Sequence, residues 1–368
     1  MTDLSLLGYT IHIAAGALDD VGRIVARAAP AHRHSIVTDS EVGLHYRERV
    51  RDAVDAVLGE PRCLAVTVPA GEATKSRATW ASLTDFLLFE ECGRDTVLIA
   101  LGGGMVGDLT GFVAATFMRG IPYVQVPTSL LAMVDASVGG KTGVDTTEGK
   151  NLVGAFHQPA AVLIDPLVLG TLPPRHLRAG LAEVIKHGVI ADGDYLEVVG
   201  SLAATLVAAP TAHADAIADL VTRSVEIKAS IVARDEREQG IRAVLNFGHT
   251  IGHAIEAESD YAVLHGEAVA IGMVIESLLA EQLGVATSGT AAAVRRAVEA
   301  AGLPSTIPEG LDTDLIVERT LTDKKRRAGS VLYALPRQIG EMAGDGERWA
   351  TPVDTDLVRA LLDSHGQH

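Results

Sequence analysis

Aromatic side chains are scarce in this chain. Two tryptophans, six tyrosines and six phenylalanines are spread over 368 residues, so the core has to come from the alanine and branched aliphatics that bring the hydrophobic share to 48%. Cysteine is rarer still. Cys63 and Cys92 alone cannot make a disulfide framework or a cysteine-rich zinc site, which leaves a reducing cytoplasm as the default compartment. Net positive charge is missing as well. A balance of −16 argues against a nucleic-acid or anionic-membrane surface, and an anionic substrate would need a local basic pocket. The opening "MTDLSLLGYTIHIAAG" has no basic stretch followed by a long apolar run, so no secretion signal is expected. The run from Thr96 to Met118 is long enough to cross a bilayer and has Asp108 as its single charge. Its adjacent glycines and central Asp fit a strand, a turn and a helix better than a membrane span.

What is plentiful is glycine, at 37 residues, as expected where turns are tight and backbones approach closely. The first half alternates short β-branched runs ("HSIVTDS", "CLAVTVP", "DTVLIALGGG", "PYVQVPTS") with helical stretches such as "TWASLTDFLLFEECG". That alternation predicts a Rossmann-like α/β domain with a parallel sheet over residues 1–170. From residue 171 to 368 the 3.6-residue apolar period dominates, in "RHLRAGLAEVIKHGVI", "IRAVLNFGHTIGHAIEAE" and "HGEAVAIGMVIESLLAEQLG", and predicts a mostly α-helical domain. A late hairpin is expected across "SVLYALP…GEMA".

Four segments carry chemistry. "GGGMVG", from Gly102 to Gly107, satisfies G-x-G-x-x-G between an apolar strand and a helix, where backbone N–H groups can cradle a pyrophosphate. No acidic residue follows at the usual distance, so a plain tight turn fits it equally well. "DASVGGKTGVDTTEGKN" sets Asp135, Lys141, Lys150 and Asn151 in a Gly- and Thr-rich segment; Asp135 stands where a P-loop needs glycine, and the segment reads as a loop whose lysines meet an anion. His249 and His253 are four apart and share a helix face, with His265 beginning the next helix. Singly each histidine suits a structural role, but a catalytic metal needs about three protein ligands. Glu183 sits mid-helix among apolar residues, where an unpaired charge is costly, and it offers the missing carboxylate; Lys186, at i+3, could be only its ion-pair partner. Arg119, Lys228, Arg242 and the Lys324–Lys325 pair supply local positive charge.

On these residues the chain resembles the 3-dehydroquinate synthases, a family of sugar-phosphate cyclases. The segments that match are "AGEATK", "ALGGGMVGDLTGF", "FMRG", "VQVPTSLLAMVDASVGGKTGV", "GKNLVGAFHQP", "LAEVIKHG", "REQGIRAVLNFGHTIGHAIE", "HGEAVAIGM" and "DKK", from residue 70 to beyond 325. The resemblance implies an active site in a cleft between an NAD-binding domain (1–170) and a helical metal- and substrate-binding domain (171–368). It implies NAD, a Zn2+ (or Co2+) ion held by Glu183, His249 and His265, and a phosphorylated seven-carbon keto acid. NAD contacts would fall on Asp39, Glu72, Lys75, Gly103, Gly104, Met105, Asp108, Thr128, Ser129, Lys150 and Thr171. Of the catalytic residues, Asp135, Lys186 and His253 join Glu183. Lys141, Asn151, Asn246, His253 and Lys324 or Lys325 would grip phosphate, and Lys228 with Arg242 would clamp the carboxylate. Arg119 would reach the site of a neighbouring subunit, which implies a homodimer. His176 stands where the family often has Glu.

The implied reaction converts 3-deoxy-D-arabino-heptulosonate 7-phosphate to 3-dehydroquinate and phosphate, within the shikimate route to aromatic amino acids. One hydroxyl is oxidised, phosphate is eliminated, the hydride returns and an aldol step closes the ring. Another cyclase of the family, acting on an amino-substituted acid, sedoheptulose 7-phosphate or glucose 6-phosphate, would use a related pocket. The intact "GHTIGHAIE" and "HGEA" segments and the Arg242–Lys228 pair favour the acid substrate. A metal-dependent polyol dehydrogenase would leave the phosphate-gripping residues without a purpose, and a metal-stabilised scaffold would leave the glycine turn without one.

Overall fold

The computed structural model describes residues 1–59, 62–322 and 331–365. Contacts divide the chain into two compact units, Met1–Leu172 with Ala209–Val225, and Pro173–Ala208 with the chain from Glu226 onward. The return of residues 209–225 to the first unit has no counterpart in the continuous 171–368 domain read from periodicity, because a helical period says nothing about which neighbour a helix covers.

The first unit is built on a seven-stranded sheet. Its strands are β1 (Thr2–Leu6), β2 (Tyr9–Ile13), β3 (Arg33–Asp39), β4 (Cys63–Val68), β5 (Thr96–Gly102), β6 (Tyr123–Pro127) and, after a separate hairpin of β7 (Lys141–Thr146) and β8 (Gly149–Phe156), β9 (Ala161–Ile164). The order is β1-β2-β9-β6-β5-β3-β4, and every pairing except the antiparallel β1–β2 is parallel. Helices α1 (Val21–Ala28), α2 (Val42–Leu58), α3 (Arg77–Phe89) and α4 (Gly104–Thr116) connect the strands. β5 and β6 are buried along their whole length, which is why "TVLIALG" and "YVQVP" read as near-continuous apolar runs. Val37, Leu98, Leu109, Phe112 and Tyr123 form part of the core between sheet and helices. From β3 the chain steps to β4 on one side, and from β5 to β6 and β9 on the other. The carboxyl ends of β3 and β5 therefore flank a topological switch point, where open α/β sheets bind ligands.

Two segments of this unit differ from the sequence reading. The lysine- and glycine-rich stretch after Gly140 is a hairpin, not a loop. Its glycines serve close approach: a Cβ on Gly154 would stand 2.2 Å from the Thr142 carbonyl oxygen. The N-terminal "TDLSL" and "YTIHI" also form a strand pair, which short, partly polar runs do not announce.

The second unit contains α5 (Pro174–Ala191), α6 (Gly193–Ala208), the C-terminal part of α7 (Ala214–Arg234), α8 (His249–Glu258), α9 (His265–Gln282), α10 (Thr290–Ala300), α11 (Thr313–Thr322) and α12 (Thr355–His365). Ile251, Ile255, Ile271, Ile275, Ile316, Tyr333 and Leu361 are among its core residues. Short strands β10 (Val331–Tyr333), β11 (Pro336–Gln338), β12 (Glu341–Met342) and β13 (Thr351–Val353) complete it. The late hairpin is β11–β12, while the "VLY" strand expected in it pairs with β13 instead. "IRAVLNFGHTIGHAIEAE" is likewise not one helix. A 3-10 turn over Ile241–Asn246 ends before Gly248, whose φ of 79° is left-handed, and α8 starts at His249.

Candidate metal centre and nucleotide-binding turn

Glycines at the helix crossings bring three ligand-type side chains together. A Cβ on Gly266 would lie 1.9 Å from the Ala179 carbonyl oxygen, so α9 passes α5 at backbone contact. A Cβ on Gly272 would lie 2.0 Å from the Gly248 carbonyl oxygen, and one on Gly252 would lie 3.1 Å from the Val269 Cα, so α8 rides equally close on α9. The crossings place Glu183 of α5, His249 of α8 and His265 of α9 so that one ligand atom from each lies within 4.8 Å of the others.

The histidine tautomers follow from their partners. His249 Nδ1 donates to the Phe247 carbonyl oxygen at 3.2 Å, and His265 Nδ1 donates to a Glu256 carboxylate oxygen at 3.0 Å. Both Nε2 atoms then face Glu183 Oε1, at 3.5 and 3.6 Å. A histidine with Nδ1 held by a carboxylate or carbonyl and Nε2 free to coordinate is the usual arrangement around a metal. Glu183 is fully buried. Its charge is offset by the ammonium of Lys186, itself 1% exposed. Burial opposes ionisation of Glu183, but Lys186 and then His265 outweigh it and hold the carboxyl well below the usual range. Burial also works against a charge on His265, yet Glu256 and Glu183 overcome it and push its pKa up to about 10. Two imidazoles and one buried carboxylate, with second partners in place, fit Zn2+ or Co2+.

His253 is exposed beside this group, its ring 5.2 Å from that of His249 and 5.8 Å from that of His265. The 3-10 turn carrying Arg242 and Asn246 packs on α5. Asp235 accepts the backbone N–H groups of Gln239, Gly240 and Arg242, the Arg242 guanidinium donates to the Glu236 carbonyl, and Asn246 Nδ2 donates to Glu238 at 2.7 Å. Lys228, on α7, is buried at 6% exposure. Lys324 and Lys325 lie outside the described residues. His176 is exposed in the first turn of α5.

In the first unit, Gly103 is the extended residue before α4 and offers no side chain to cap that helix. Gly104 and Met105 begin the helix, and Asp108 follows one turn on. Gly107 lets α4 lie against β6 and Gly111 lets it lie against the β7–β8 hairpin, since a Cβ would meet Gln125 Oε1 at 2.7 Å or Thr142 Cγ2 at 2.5 Å. Lys75, 3% exposed, donates to Asp108 and to the Asn151 side chain at 2.5 Å each, with Glu72 at 4.0 Å. Burial disfavours its charge, but Asp108 and Glu72 outweigh that and raise its pKa. Asn151 is thus gathered with Lys75 and Asp108, and its N–H donates to Asp145. Asp39, at the end of β3, accepts the N–H groups of Glu41 and Val42 at 2.9 Å and so caps the start of α2. Thr171 shares a hydrogen bond with Tyr46. Thr128 is buried and Ser129 half-buried after β6, Asp135 lies in a short π-turn, Lys150 is half-buried on β8, and Lys141 is exposed at the start of β7. Met118 and Arg119 have φ of 50° and 70°, two consecutive left-handed residues without a glycine.

Sequence reasoning missed Glu256, Glu276 and the Arg175–Glu267 pair. Glu267 caps the first turn of α9 through the Leu264 N–H and is held by both Arg175 nitrogens at 2.7 Å. Glu276 lies mid-helix in "GMVIESLLA", so the buried-charge argument used for Glu183 applies to it equally.

In fold, the chain is similar to NAD-linked sugar-phosphate cyclases. A structure of 2-deoxy-scyllo-inosose synthase complexed with carbaglucose-6-phosphate, NAD+ and Co2+ aligns at a TM-score of 0.89 and 25% identity over 97% of each chain. A 2-epi-5-epi-valiolone synthase from Streptomyces hygroscopicus with NAD+ and Zn2+ bound aligns at 0.84 and 29%, over 99% of this chain and 98% of that one. The N-terminal family model of 3-dehydroquinate synthase matches residues 65–179, and the C-terminal one residues 180–326. The chain belongs to the 3-dehydroquinate synthase family. It is 45% identical to the 3-dehydroquinate synthase of Symbiobacterium thermophilum over 97% of each chain, and 47% identical to that of a Synechococcus strain over 91% of each.

Proposed function

We propose that the chain converts 3-deoxy-D-arabino-heptulosonate 7-phosphate to 3-dehydroquinate and inorganic phosphate, with NAD and one divalent cation, Zn2+ or Co2+. NAD binding is assigned to residues 1–170, and metal and substrate binding to residues 171–368, the reaction drawing on residues of both. The observation that carries this reading is the convergence of Glu183, His249 and His265 with both Nε2 atoms turned to one carboxylate oxygen. The choice of substrate rests on relatives 45% and 47% identical that bear the synthase name, against 25% and 29% for cyclases of other sugars.

When bound, the metal supplies Lewis-acid polarisation of substrate oxygens, and NAD supplies reversible hydride uptake. The remaining work belongs to side chains. Arg242, held in its turn by Asp235 and Glu236, offers a fork to the substrate carboxylate, with Lys228 as a second charge. His253, Asn246 and Asn151, with Lys141 and Lys324 or Lys325, supply donors for phosphate, and the departing phosphate, assisted by His253, takes up the proton from the carbon next to the new ketone. Lys186 keeps Glu183 ionised for ligation, and Asp135 is assigned to the same catalytic group. Asp39, Glu72, Lys75, Gly103, Gly104, Met105, Asp108, Thr128, Ser129, Lys150 and Thr171 are assigned to NAD. Asp39 and the Gly103–Gly104 turn end the two strands beside the switch point, which supports that placement.

The working form is proposed to be a homodimer in the cytoplasm. Leu152 and Phe156 on one face of β8 and Val153 on the other are 40–52% exposed, apolar surface suited to a second copy. Arg119, in its strained turn, is assigned to the neighbouring subunit's substrate. No helix among the described residues is long and apolar enough to cross a membrane.

The test is to supply the seven-carbon keto acid phosphate with NAD and Zn2+ and to measure inorganic phosphate and dehydroquinate. Equimolar release of both without net accumulation of reduced nicotinamide supports the reading, whereas steady growth of absorbance from reduced nicotinamide would indicate a dehydrogenase. Glu183→Gln should lower turnover at least a thousandfold with an unchanged circular dichroism spectrum, and full activity in that variant removes the metal assignment.

A further inference from the structure

Helix α8 has an unusual beginning. Its N-cap position is Gly248, which has no side chain to receive the first-turn N–H groups. The acceptor comes from another helix. Glu276, on α9 and fully buried, takes the N–H of Gly248 on Oε2 at 2.7 Å, and those of Thr250 and Ile251 on Oε1 at 3.1 and 3.2 Å. One carboxylate therefore binds the backbone on both sides of His249. The carboxylate also sits at the positive end of the α8 dipole. Gly272, one turn earlier on the same helix, has no room for a Cβ beneath the Gly248 carbonyl. Glu276 and Gly272 together seat the start of α8 on α9, and α9 begins with His265.

We infer that Glu276 is a positioning residue for the metal site, setting the His249 imidazole relative to the His265 imidazole. This inference rests on the proposed metal site. Two histidines on separate helices could change their separation by rotation or tilting of the first turn of α8, which the bond at His249 Nδ1 would not prevent and the bond at His265 Nδ1 ties down only two turns further along α8. Phe247 moves with His249, and Glu256 holds the C-terminal part of α8, not its beginning, to α9. The Glu276 carboxylate spans α8 and α9 directly, through three hydrogen bonds to one loop-to-helix junction. A glutamine cannot replace it fully. Whichever way its amide turns, an NH2 group faces either the Gly248 N–H or the Thr250–Ile251 pair, donor against donor.

The experiment is Zn2+ affinity, by competition with a chromophoric chelator, and the visible spectrum of the Co2+-loaded protein, for the parent and for Glu276→Gln. Metal affinity should fall ten- to a hundredfold, as for partners that orient metal ligands, and the Co2+ bands should shift in position or intensity. An unchanged affinity and spectrum, alongside a lower thermal midpoint of the metal-free protein, would make Glu276 a structural cap only and overturn the inference. A parent that binds neither ion sinks the metal site itself, which is a different result. Should the glutamine variant not fold, amide hydrogen exchange in the metal-free parent decides. Gly248, Thr250 and Ile251 should be as protected as the middle of α9, and rapid exchange at these three amides overturns the proposal.

Discussion

Lys75 is an ammonium taken almost wholly out of water, and Asp108 is what makes that tolerable. Truncating one member of a buried ion pair leaves the other charge uncompensated, at a cost that exceeds the net worth of the pair. Asp108→Ala should therefore destabilise the ligand-free protein by about 3 kcal/mol, although Asn151 still accepts from Lys75. Urea unfolding checks this, and a midpoint equal to the parent's would show that Lys75 finds its compensation elsewhere. At this scale the sequence signalled part of the Glu183–His249–His265 cluster and none of its supports. Glu183 carries a local signal as a charge among apolar residues, whereas helical spacing joins His249 to His253, and the choice of His265 as the third member comes from the family resemblance. Arg175 and Glu267 are 92 positions apart, and Glu276 is 28 from Gly248. No local spacing relates such partners, since only the helix crossings bring them together.

Helix crossings and turns carry the next set of expectations. Gly266→Ala should force α9 away from Ala179 on α5 and cost about 2 kcal/mol through overpacking, with weaker Zn2+ binding because His265 is the neighbouring residue. A variant with the parent's unfolding midpoint and Zn2+ affinity would mean that the crossing can widen freely. The turn that holds Arg242 depends on Asp235. Burial raises the pKa of that carboxyl, but the N–H groups of Gln239, Gly240 and Arg242 outweigh it and lower the pKa overall. A folded pKa below the unfolded value means that the contribution is complete above the unfolded value, about 3.9, and is lost as pH falls through the lower folded one. The turn should thus stay ordered from pH 7 to about 4 and loosen only below that. Amide exchange at Arg242 measured along this range tests it, and loosening already between pH 7 and 5 would contradict the assignment. Among the elements, β5 and β6 were legible because they are buried along their whole length and read as near-continuous apolar runs, and β3 through the β-branched residues of its "SIVT". The β7–β8 hairpin was not. Its glycines serve interstrand contact, as at Gly143 and Gly154, and look in sequence like the glycines of a loop.

For the molecule as a whole, the α/β and helical halves could be read from the change of period, and the family resemblance named the chemistry. The second copy and the reach of Arg119 remain as proposals with a direct test. Dimers mixed from Arg119→Ala and Glu183→Gln chains should recover a fraction of the parent's activity, because one of the two sites can then assemble from intact parts. Two dead parents that yield a dead mixture would make Arg119 a residue of its own turn only. The return of residues 209–225 to the sheet unit has its own consequence for synthesis. A fragment ending at residue 172 lacks part of its own partner surface, and a nascent chain cannot complete the first unit until residue 225 has emerged from the ribosome. By then α5 and α6 have emerged as well, while α8 and α9 have not. During that interval Glu183 and Lys186 are exposed to water and chaperones with only each other for company, and the burial of their charges waits on the emergence of α8 and α9.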